Sequence, residues 1–323
     1  MRGGGVLNRD TTGGIFGDLD VQVELDAPIG RESWFSAGGN ADVLLHPRDP
    51  ATLAEVVRRC RRTDTPLRIL GEGANLLVAD EGVGGIVVKL DAPAFRAVER
   101  NADGQVDLVR VGAGADLART LLELARSGLA GLETLMGIPA SIGGAIRMNA
   151  GGRYGSIGDV VHAVACLDDH GETRVYPASE LRFEYRRTNI VDPIVLWSVF
   201  RVRQTDPVEL RVRIKEIAAY KKSTQPLAEK SAGCMFRNPV DPETGETVSA
   251  GRLIDETGLK GLQIGSATVS EVHANFITIK RGGRADDAIS LGDEVARRVA
   301  DARGIELQRE VVVWRRDQEA SSR

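Results

Sequence analysis

A glycine-rich stretch between Glu133 and Gly155 constrains the fold of this chain most. It carries almost no charge before Arg147 and Arg153, and small or apolar residues separate its glycines, which are Gly137, Gly143, Gly144, Gly151, Gly152 and Gly155. Glycine leaves backbone N–H groups uncovered. We predict that a short helix begins near Pro139 and that N–H groups around its start form a cradle for a phosphate or a flat polar ring. A tight turn packed against a strand is the structural alternative.

A second glycine-rich loop follows an apolar strand predicted at Leu67 to Leu70. It reads Gly71-Glu72-Gly73-Ala74-Asn75, and the next residues, Leu76 to Val78, look extended. A Rossmann fingerprint needs a third glycine and a helix at this place, so the pattern disfavours that dinucleotide-binding fold. Two such loops in one sheet-rich region favour joint binding of phosphate groups and a flat ring over two unrelated turns.

Length and composition limit the class of protein. The chain has 323 residues, of which 42% are hydrophobic and 27% charged, as in a globular protein of two or three units. No window approaches about 18 uninterrupted apolar residues, so we expect no membrane span. Residues 1–18 lack the apolar core of a signal peptide and are predicted to form a flexible tail. We therefore expect a cytoplasmic protein.

Charge and cysteine content exclude further classes. A net charge of -4 gives no field that would attract nucleic acid. The 3 cysteines, Cys60, Cys166 and Cys234, are too few and too scattered for a disulfide framework or a zinc site, and we predict no metal site. Cys60 lies on the apolar face of a predicted helix and Cys166 in a predicted strand, so both are expected to fill the core. No feature of the sequence indicates an obligate protein partner.

The order of predicted elements is that of an α+β protein. A strand at Ala41 to His46 precedes a helix that begins at Pro50, and strands continue on both sides of a second helix at Ala115 to Arg126. Lysines and Pro226 mark a change of composition between residues 217 and 230. After it we predict, in order, a helix, a strand, a long helix and a strand at Ala250–Thr257, Asn275–Ile279, Ala285–Arg303 and Ile305–Trp314.

Further motifs extend the pattern of the two loops along the chain. In order, the motifs are Gly71–Leu77, Gly137–Ala145 with Asn149–Gly151, Phe183–Arg186, Ala232–Pro239, Val272–Phe276 and Glu306–Val311. Each is modestly specific alone, but their order and separations are strong together. With them the sequence resembles the UDP-N-acetylenolpyruvoylglucosamine reductase family, flavoenzymes of peptidoglycan precursor synthesis, over nearly the whole chain after the tail.

The resemblance implies a fold and a cofactor. The fold is an FAD-binding domain of the vanillyl-alcohol-oxidase type at residues 19–215, with subdomains at about 19–92 and 93–215, followed by a smaller C-terminal α/β substrate domain at 216–318. FAD is expected to bind without a covalent bond, because the first loop lacks the histidine that tethers the flavin in many oxidase relatives. The residues expected to bind FAD are Gly71, Glu72, Gly73, Ala74, Asn75, Leu76, Gly137, Ile138, Pro139, Ser141, Ile142, Gly143, Gly144, Ala145, Asn149 and Gly151.

The resemblance also implies a reaction, the reduction of UDP-N-acetylglucosamine enolpyruvate to UDP-N-acetylmuramate. NADPH reduces the flavin, whose N5 gives a hydride to the terminal carbon, and the charge left behind needs a cation and an acid. By resemblance, Arg186 holds the substrate carboxylate, Glu310 lies near the enolate, and Cys234, at a position that is often Ser, donates the proton. Contacts to the nucleotide-sugar substrate are expected from Tyr185, Lys222, Arg237, Asn238 and His273.

Two departures from the family pattern concern the substrate. In many relatives a lysine that reaches the substrate precedes the Gln-Pro pair of this segment. In this chain Thr224 stands at that position, so Lys221 or Lys222 is expected to contact the diphosphate. No tyrosine-bearing insert follows Arg186, which indicates the subgroup with the shorter substrate domain.

Two other functions stay open at this point. Another flavin oxidase or dehydrogenase of the same fold, acting on a sugar or hydroxy acid, would explain the glycine loops but not Cys234 together with Glu310. A nucleotide-binding regulatory module would explain the loops without catalysis. From the residues alone, Arg186 is an ordinary surface charge, Glu310 fits the solvent face of an edge strand, and His273 fits a structural histidine.

Overall fold

The structure is a computed structural model that describes residues 15–225 and 230–316. Its helices are α1 (Ile29–Glu32), α2 (Pro50–Arg62), α3 (Leu117–Arg126), α4 (Ile142–Arg147), α5 (Pro207–Thr224), α6 (Ala250–Glu256) and α7 (Ala285–Arg303). Its strands are β1 (Val21–Ala27), β2 (Ala41–Pro47), β3 (Leu67–Leu70), β4 (Leu76–Val78), β5 (Val83–Lys89), β6 (Val98–Arg100), β7 (Leu108–Gly112), β8 (Leu129–Ala130), β9 (Gly151–Gly152), β10 (Gly155–Ser156), β11 (Val161–Leu167), β12 (Thr173–Pro177), β13 (Phe183–Glu184), β14 (Arg187–Thr188), β15 (Ile194–Arg201), β16 (Arg203–Gln204), β17 (Gln263–Ile264), β18 (Ala267–Val269), β19 (Ile277–Ile279) and β20 (Val312–Trp314).

The first sheet carries the strand that leads into the first glycine-rich loop. Its order is β1-β2-β5-β3, with β1 antiparallel to β2 and the two other pairs parallel. Helix α2 makes the connection from β2 to β3. It begins where Asp49 accepts the N–H of Thr52 at 2.8 Å and Pro50 occupies the first turn. The predicted strand at residues 41–46 and the helix from Pro50 are confirmed, and Cys60 is buried on that helix.

The second sheet lies in the same hydrophobic core as the first. It is antiparallel, with the order β12-β11-β15-β7-β6, and it buries Cys166 on β11 as predicted. Apolar side chains of α2, α3 and α4 join both sheets in one continuous cluster of buried residues. This arrangement places the end of β3 and the start of α4, which carry the two glycine-rich loops, on one assembly.

The C-terminal unit packs helix α7 on the three-stranded sheet β17-β18-β19. Ile289, Val295 and Val299 of α7 face inward, as predicted. The strand predicted at residues 305–314 is wrong over most of its length, since only Val312–Trp314 is extended in a ladder. This strand, β20, pairs in parallel with β4 of the first unit, so the chain returns to the segment that follows the first glycine-rich loop.

The predicted domain limits meet ordered structure at two places. Residues 1–14, 317 and 318 lie outside the described residues, but Phe16 is buried in the main core and Asp18 pairs with Arg59. Residues 15–18 are therefore held against the first unit by the buried ring of Phe16 and by the contacts of Ile15 and Asp18 with Arg59, which corrects the prediction of a flexible tail for that part. Helix α5 runs without interruption through residues 215 and 216. The division at residue 216 stays a prediction.

The described residues hold neither a helix long and apolar enough to cross a membrane nor a group of three or more His, Cys, Asp or Glu arranged for a metal ion.

Helix α7 is capped by a residue of the other unit. Its own N-cap residue, Arg284, makes no side-chain cap. Asp80, in the turn between β4 and β5, accepts the N–H groups of Ala285 at 3.0 Å and Asp286 at 3.3 Å. The carboxylate of Asp286 accepts the N–H of Asp80 at 3.2 Å in return. These bonds satisfy N–H groups that the first turn of a helix leaves unpaired, and they fix α7 to the first unit.

Replacing Asp80 tests this cap. We expect Asp80→Ala to lower the free energy of unfolding by about 1–2 kcal/mol, because it removes the acceptor for two helix N–H groups. Denaturant unfolding of the variant and of the wild type measures the loss. Asp20→Ala is the control, since Asp20 is exposed and lies 3.7 Å from Arg48. Equal losses in both variants would contradict a capping role for Asp80.

Candidate active site

The two glycine-rich loops meet in the structure. Gly71 follows β3 directly, and a Cβ atom added at this position would lie 2.7 Å from the Oγ of Ser141. Such a distance is too short for a real contact, so the backbone of the first loop passes against the residue that opens α4. The two loops that the sequence predicts to act together are therefore in direct contact.

The short helix begins later than predicted, at Ile142 instead of near Pro139. Ser141 is its N-cap residue and accepts the N–H of Gly144 at 3.3 Å. The N–H groups of Ile142 and Gly143 donate to backbone carbonyls ahead of α3, at 2.9 and 2.8 Å. The first turn of α4 is therefore satisfied within the protein. These three N–H groups are therefore not available to a ligand, and a cradle formed by the other N–H groups of the stretch stays a prediction.

Free donors lie in the first loop. Within the described ranges, the N–H groups of Gly73 and Ala74 make no hydrogen bond. Gly73 has a φ of 65°, a conformation that glycine adopts without strain. These N–H groups suit an anionic ligand such as a diphosphate. Among the other residues predicted to bind FAD, Leu76, Ile142 and Ala145 are buried in the core, where their side chains shape the loops.

Three residues that are distant in sequence form one cluster. The Nε of Arg186, in the turn between β13 and β14, donates to Oε1 of Glu310 at 2.5 Å, and its Nη1 donates to the carbonyl of Gly151 at 3.0 Å. The backbone N–H of Glu310 donates to the carbonyl of Met235 at 2.8 Å, which joins it to the segment that carries Cys234. The structure thus brings together the three residues predicted to act in catalysis.

Burial controls the charge state of the thiol. It raises the pKa of Cys234 to about 12, and the carboxylate of Glu310 adds to the rise while the guanidinium of Arg186 opposes it. Burial also raises the pKa of Glu310, against the attraction of Arg186 and Arg237. A thiol with this pKa keeps its proton throughout the neutral range. It is therefore equipped to give a proton and poorly equipped to act as a nucleophile.

Two asparagines hold the cluster in place, and sequence reasoning missed the role of Asn275. Its side chain donates to the carbonyl of Phe236 at 2.8 Å and accepts the N–H of the same residue at 2.9 Å. These bonds fix the segment after Cys234. Asn275 lies in the motif Val272–Phe276, and the signal in the sequence is a polar residue between the apolar residues Ala274 and Phe276, all three of which are buried.

The side chain of Asn149, a residue predicted to bind FAD, makes hydrogen bonds to two backbone groups. Its Nδ2 donates to the carbonyl of Glu184 at 2.8 Å, and its Oδ1 accepts the N–H of Gly158 at 3.1 Å. Glu184 lies two residues before Arg186 in the β13–β14 hairpin. The side chain of Asn149 therefore positions the turn that carries the arginine.

Of the two candidate lysines, Lys221 reaches the site. A Cβ atom added at Gly137 would lie 2.9 Å from the Cδ of Lys221, so this side chain passes over the second glycine-rich loop. Burial and the charge of Arg186 lower the pKa of Lys221 to about 8. Lys222, the residue predicted to bind the substrate, is exposed on the outer side of α5. The geometry therefore favours Lys221 for that contact.

Tyr185, Arg237 and Asn238 lie at the edge of the cluster. The guanidinium carbon of Arg186 is 5.1 Å from the ring centre of Tyr185, whose side chain is 52% exposed. The Tyr185 hydroxyl accepts the N–H of Asn238 at 3.5 Å. The Nε of Arg237 is buried and has no hydrogen-bond partner among the residues that the structure describes. A buried guanidinium N–H without a hydrogen-bond partner destabilises the fold, and a ligand with an acceptor atom at this position would relieve that cost.

His273 has the contacts of a structural histidine. Its ring packs against Phe276 with a centroid distance of 4.9 Å, and its Nδ1 accepts the N–H of Asn275 at 3.2 Å. Gly251 of α6 lies against the same ring. Burial lowers the pKa of His273, so the ring is neutral at physiological pH. These contacts support packing and give the predicted substrate contact no support.

Two family models match the chain. A model described as "FAD binding domain" matches residues 41–176, and a model described as "UDP-N-acetylenolpyruvoylglucosamine reductase, C-terminal domain" matches residues 225–314. The first includes both glycine-rich loops, and the second includes Cys234 and Glu310.

Similar proteins carry the same name. A UDP-N-acetylenolpyruvoylglucosamine reductase of Heliobacterium modesticaldum is 41% identical over 290 residues, which are 88% of each chain. Its namesake in Syntrophus aciditrophicus is 38% identical over 90% of this chain and 91% of its own. The crystal structure of UDP-N-acetylenolpyruvylglucosamine reductase from Thermus caldophilus, 37% identical, covers 92% of this chain and 100% of its own with a TM-score of 0.75. These matches confirm the predicted FAD-binding fold with a C-terminal domain, and the chain belongs to the UDP-N-acetylenolpyruvoylglucosamine reductase family of FAD-dependent oxidoreductases.

Proposed function

We propose that this protein reduces the enolpyruvyl group of UDP-N-acetylglucosamine enolpyruvate to give UDP-N-acetylmuramate, with NADPH as the electron source, in peptidoglycan precursor synthesis. The observation that carries the proposal is the cluster of Arg186, Cys234 and Glu310 beside the two glycine-rich loops. It offers a cation, a protonated thiol and a carboxylate at one place. The family to which the chain belongs is named for this reaction.

The residues present fit FAD bound without a covalent bond. The N–H groups of Gly73 and Ala74, which make no hydrogen bond within the described residues, suit the diphosphate, and the close approach of Gly71 to Ser141 leaves no room for a side chain at residue 71. When bound, FAD supplies the hydride for the double bond. In this proposal the FAD site lies in residues 19–215, and the proton donor lies in residues 216–318.

Arg186 is fixed as a carboxylate partner. Glu310 holds its Nε and the carbonyl of Gly151 holds its Nη1, which leaves the remaining N–H groups of the guanidinium for a ligand. Arg186 has a φ of 55°, an uncommon conformation for a residue other than glycine. Such strain is found where a side chain must be aimed. A fixed guanidinium stabilises the negative charge that develops on the substrate carboxylate during reduction.

Cys234 supplies the proton that completes the reduction. Its thiol is protonated at neutral pH because burial and Glu310 disfavour the thiolate. Arg186, which faces the same region, stabilises the carbanion that the thiol quenches. Glu310 has two roles in this scheme, since it orients Arg186 and keeps the thiol in its acid form.

Lys221 and Arg237 provide charge for the diphosphate of the substrate. Lys221 passes over Gly137, and the buried Nε of Arg237 has no partner among the described residues. Both groups gain a hydrogen bond when an anionic oxygen arrives. Hydrogen bonds that involve a charged group contribute about 1.5–3 kcal/mol each, so these residues affect substrate affinity more than chemistry.

The function as a whole is tested by anaerobic half-reactions. We expect the purified protein to be yellow, to release intact FAD on denaturation, and to be bleached by NADPH. Addition of the enolpyruvyl nucleotide should then restore the flavin absorbance and form UDP-N-acetylmuramate. Reduced protein that is not reoxidised by this nucleotide would contradict the proposed substrate.

The proton donor is tested at Cys234. We expect Cys234→Ala to lose on the order of 10² to 10⁴ in turnover, the range for a lost general acid, whereas Cys234→Ser keeps substantial activity. The loss should fall in the half-reaction with the enolpyruvyl nucleotide, measured by stopped-flow reoxidation, while reduction by NADPH stays near the wild-type rate. Reoxidation of the Ala variant at the wild-type rate would show that another group gives the proton.

The charge of Lys221 is tested through pH. Because its pKa is lowered to about 8, the free enzyme loses this charge as pH rises through 8, and kcat/KM for the anionic nucleotide should fall there. Lys221→Arg should remove the fall, since arginine stays charged. Lys222→Arg is the matched control and should keep the wild-type profile. The opposite result, with the fall removed only by Lys222→Arg, would assign the contact to Lys222.

A further inference from the structure

Arg147, the last residue of α4, is a partly buried cation that has no role in the scheme above. Its Nη1 donates to the carbonyl of Ile190 at 2.9 Å, and its Nη2 donates to the carbonyl of Asp192. Burial lowers the pKa of Arg147, which means that its surroundings disfavour the charge. A cation in such a place is costly unless its N–H groups are bonded, so the two backbone carbonyls hold it there.

Both carbonyls lie just beyond the hairpin whose turn carries Arg186. Strand β14, the second strand of that hairpin, ends two residues before Ile190, which is itself buried. The hydroxyl of Tyr176 on β12 donates to Oδ2 of Asp192 at 2.6 Å, so the segment is also held from the second sheet. Arg147 therefore fixes the chain where it leaves the β13–β14 hairpin.

The rest of the hairpin is held by the same short segment of chain. The Nδ2 of Asn149 donates to the carbonyl of Glu184 on β13, at 2.8 Å. The carbonyl of Gly151 accepts Nη1 of Arg186, at 3.0 Å. Residues 147–151 thus contact the first strand, the turn and the exit of the hairpin. The position of Arg186 depends on where this segment lies.

Helix α4 connects this segment to the two glycine-rich loops. Ser141, its N-cap residue, lies against Gly71 of the first loop, and Arg147 is its last residue. An α-helix rises a fixed 1.5 Å or so per residue, so its 6 residues separate its two ends by about 9 Å. The helix therefore sets the distance between the loops and the hairpin.

We infer that Arg147 is a positioning residue for Arg186. Through the carbonyls of Ile190 and Asp192 it fixes the β13–β14 hairpin so that the guanidinium of Arg186 faces the carboxylate of the substrate. This inference rests on the proposed function, and in it Arg147 acts through the hairpin without touching the substrate. A general structural role would affect every ligand of the site. Misplacement of Arg186 affects only ligands that carry the carboxylate.

The test uses the FAD-loaded protein in its oxidised form and two ligands, titrated by calorimetry without NADPH. They are the enolpyruvyl nucleotide and UDP-N-acetylglucosamine, which lacks the enolpyruvyl carboxylate. We expect Arg147→Met to weaken binding of the first by roughly 5- to 100-fold, up to the value of one charge-assisted hydrogen bond, and to leave the second unchanged. Arg147→Lys keeps the charge and one bond, so it should show a smaller loss, and it replaces the Met variant if that variant does not fold.

Two further variants control the result. Arg58 on α2 also donates to a backbone carbonyl, that of Gly171 at 3.3 Å, so Arg58→Met should keep both wild-type affinities. The double variant Arg147→Met/Arg186→Met measures coupling between the two arginines. Once the guanidinium of Arg186 is gone, we expect the change at Arg147 to cause no further loss of affinity for the enolpyruvyl nucleotide.

Three outcomes would overturn the positioning role. They are an unchanged preference for the enolpyruvyl nucleotide in both Arg147 variants, an equal loss of affinity for both ligands, and a loss in the Arg186→Met background as large as in the wild type. Failure of the proposed function gives a different result, which overturns both ideas together. In that case the wild-type protein itself neither prefers the enolpyruvyl nucleotide nor reduces it.

Discussion

The ion pair between Arg186 and Glu310 is the interaction on which the site depends. Its side chains are 21% and 11% exposed, and it joins a hairpin of the first unit to the segment that precedes β20. Charges in such surroundings are costly unless they are paired, and removal of one partner from a buried pair costs about 3–5 kcal/mol. The hairpin and the C-terminal segment must therefore both be in place before either charge is stable where it lies.

Features with a local cause could be predicted from the sequence. Helix α2 follows from Asp49, Pro50 and an apolar face of period 3.6, and Cys60 is buried because it lies on that face. Helix α7 begins and ends where its pattern predicts. The residues predicted to act in catalysis were identified by resemblance, because no local pattern distinguishes Arg186 from an ordinary surface arginine.

Features that depend on distant partners could not be predicted. The first N–H groups of α4 bond to carbonyls that precede α3, which no pattern within the loop reveals. Residues 305–311 read as a strand, but Arg309 forms only an isolated bridge with Phe236, and regular pairing begins at Val312. Lys221 and Lys222 are equivalent by composition, and only the orientation of α5 turns one of them toward Gly137.

The pairing of β20 with β4 links the first glycine-rich loop to the segment that carries Glu310. Asn75, at the end of the first glycine-rich loop, donates its Nδ2 to the carbonyl of Glu310 at 3.2 Å, and its own carbonyl accepts the N–H of Val312 at 3.1 Å. A displacement of this loop is therefore transmitted directly to the backbone of Glu310, and the ion pair with Arg186 extends the connection to the β13–β14 hairpin. Three segments that are far apart in the sequence thus form one continuous frame.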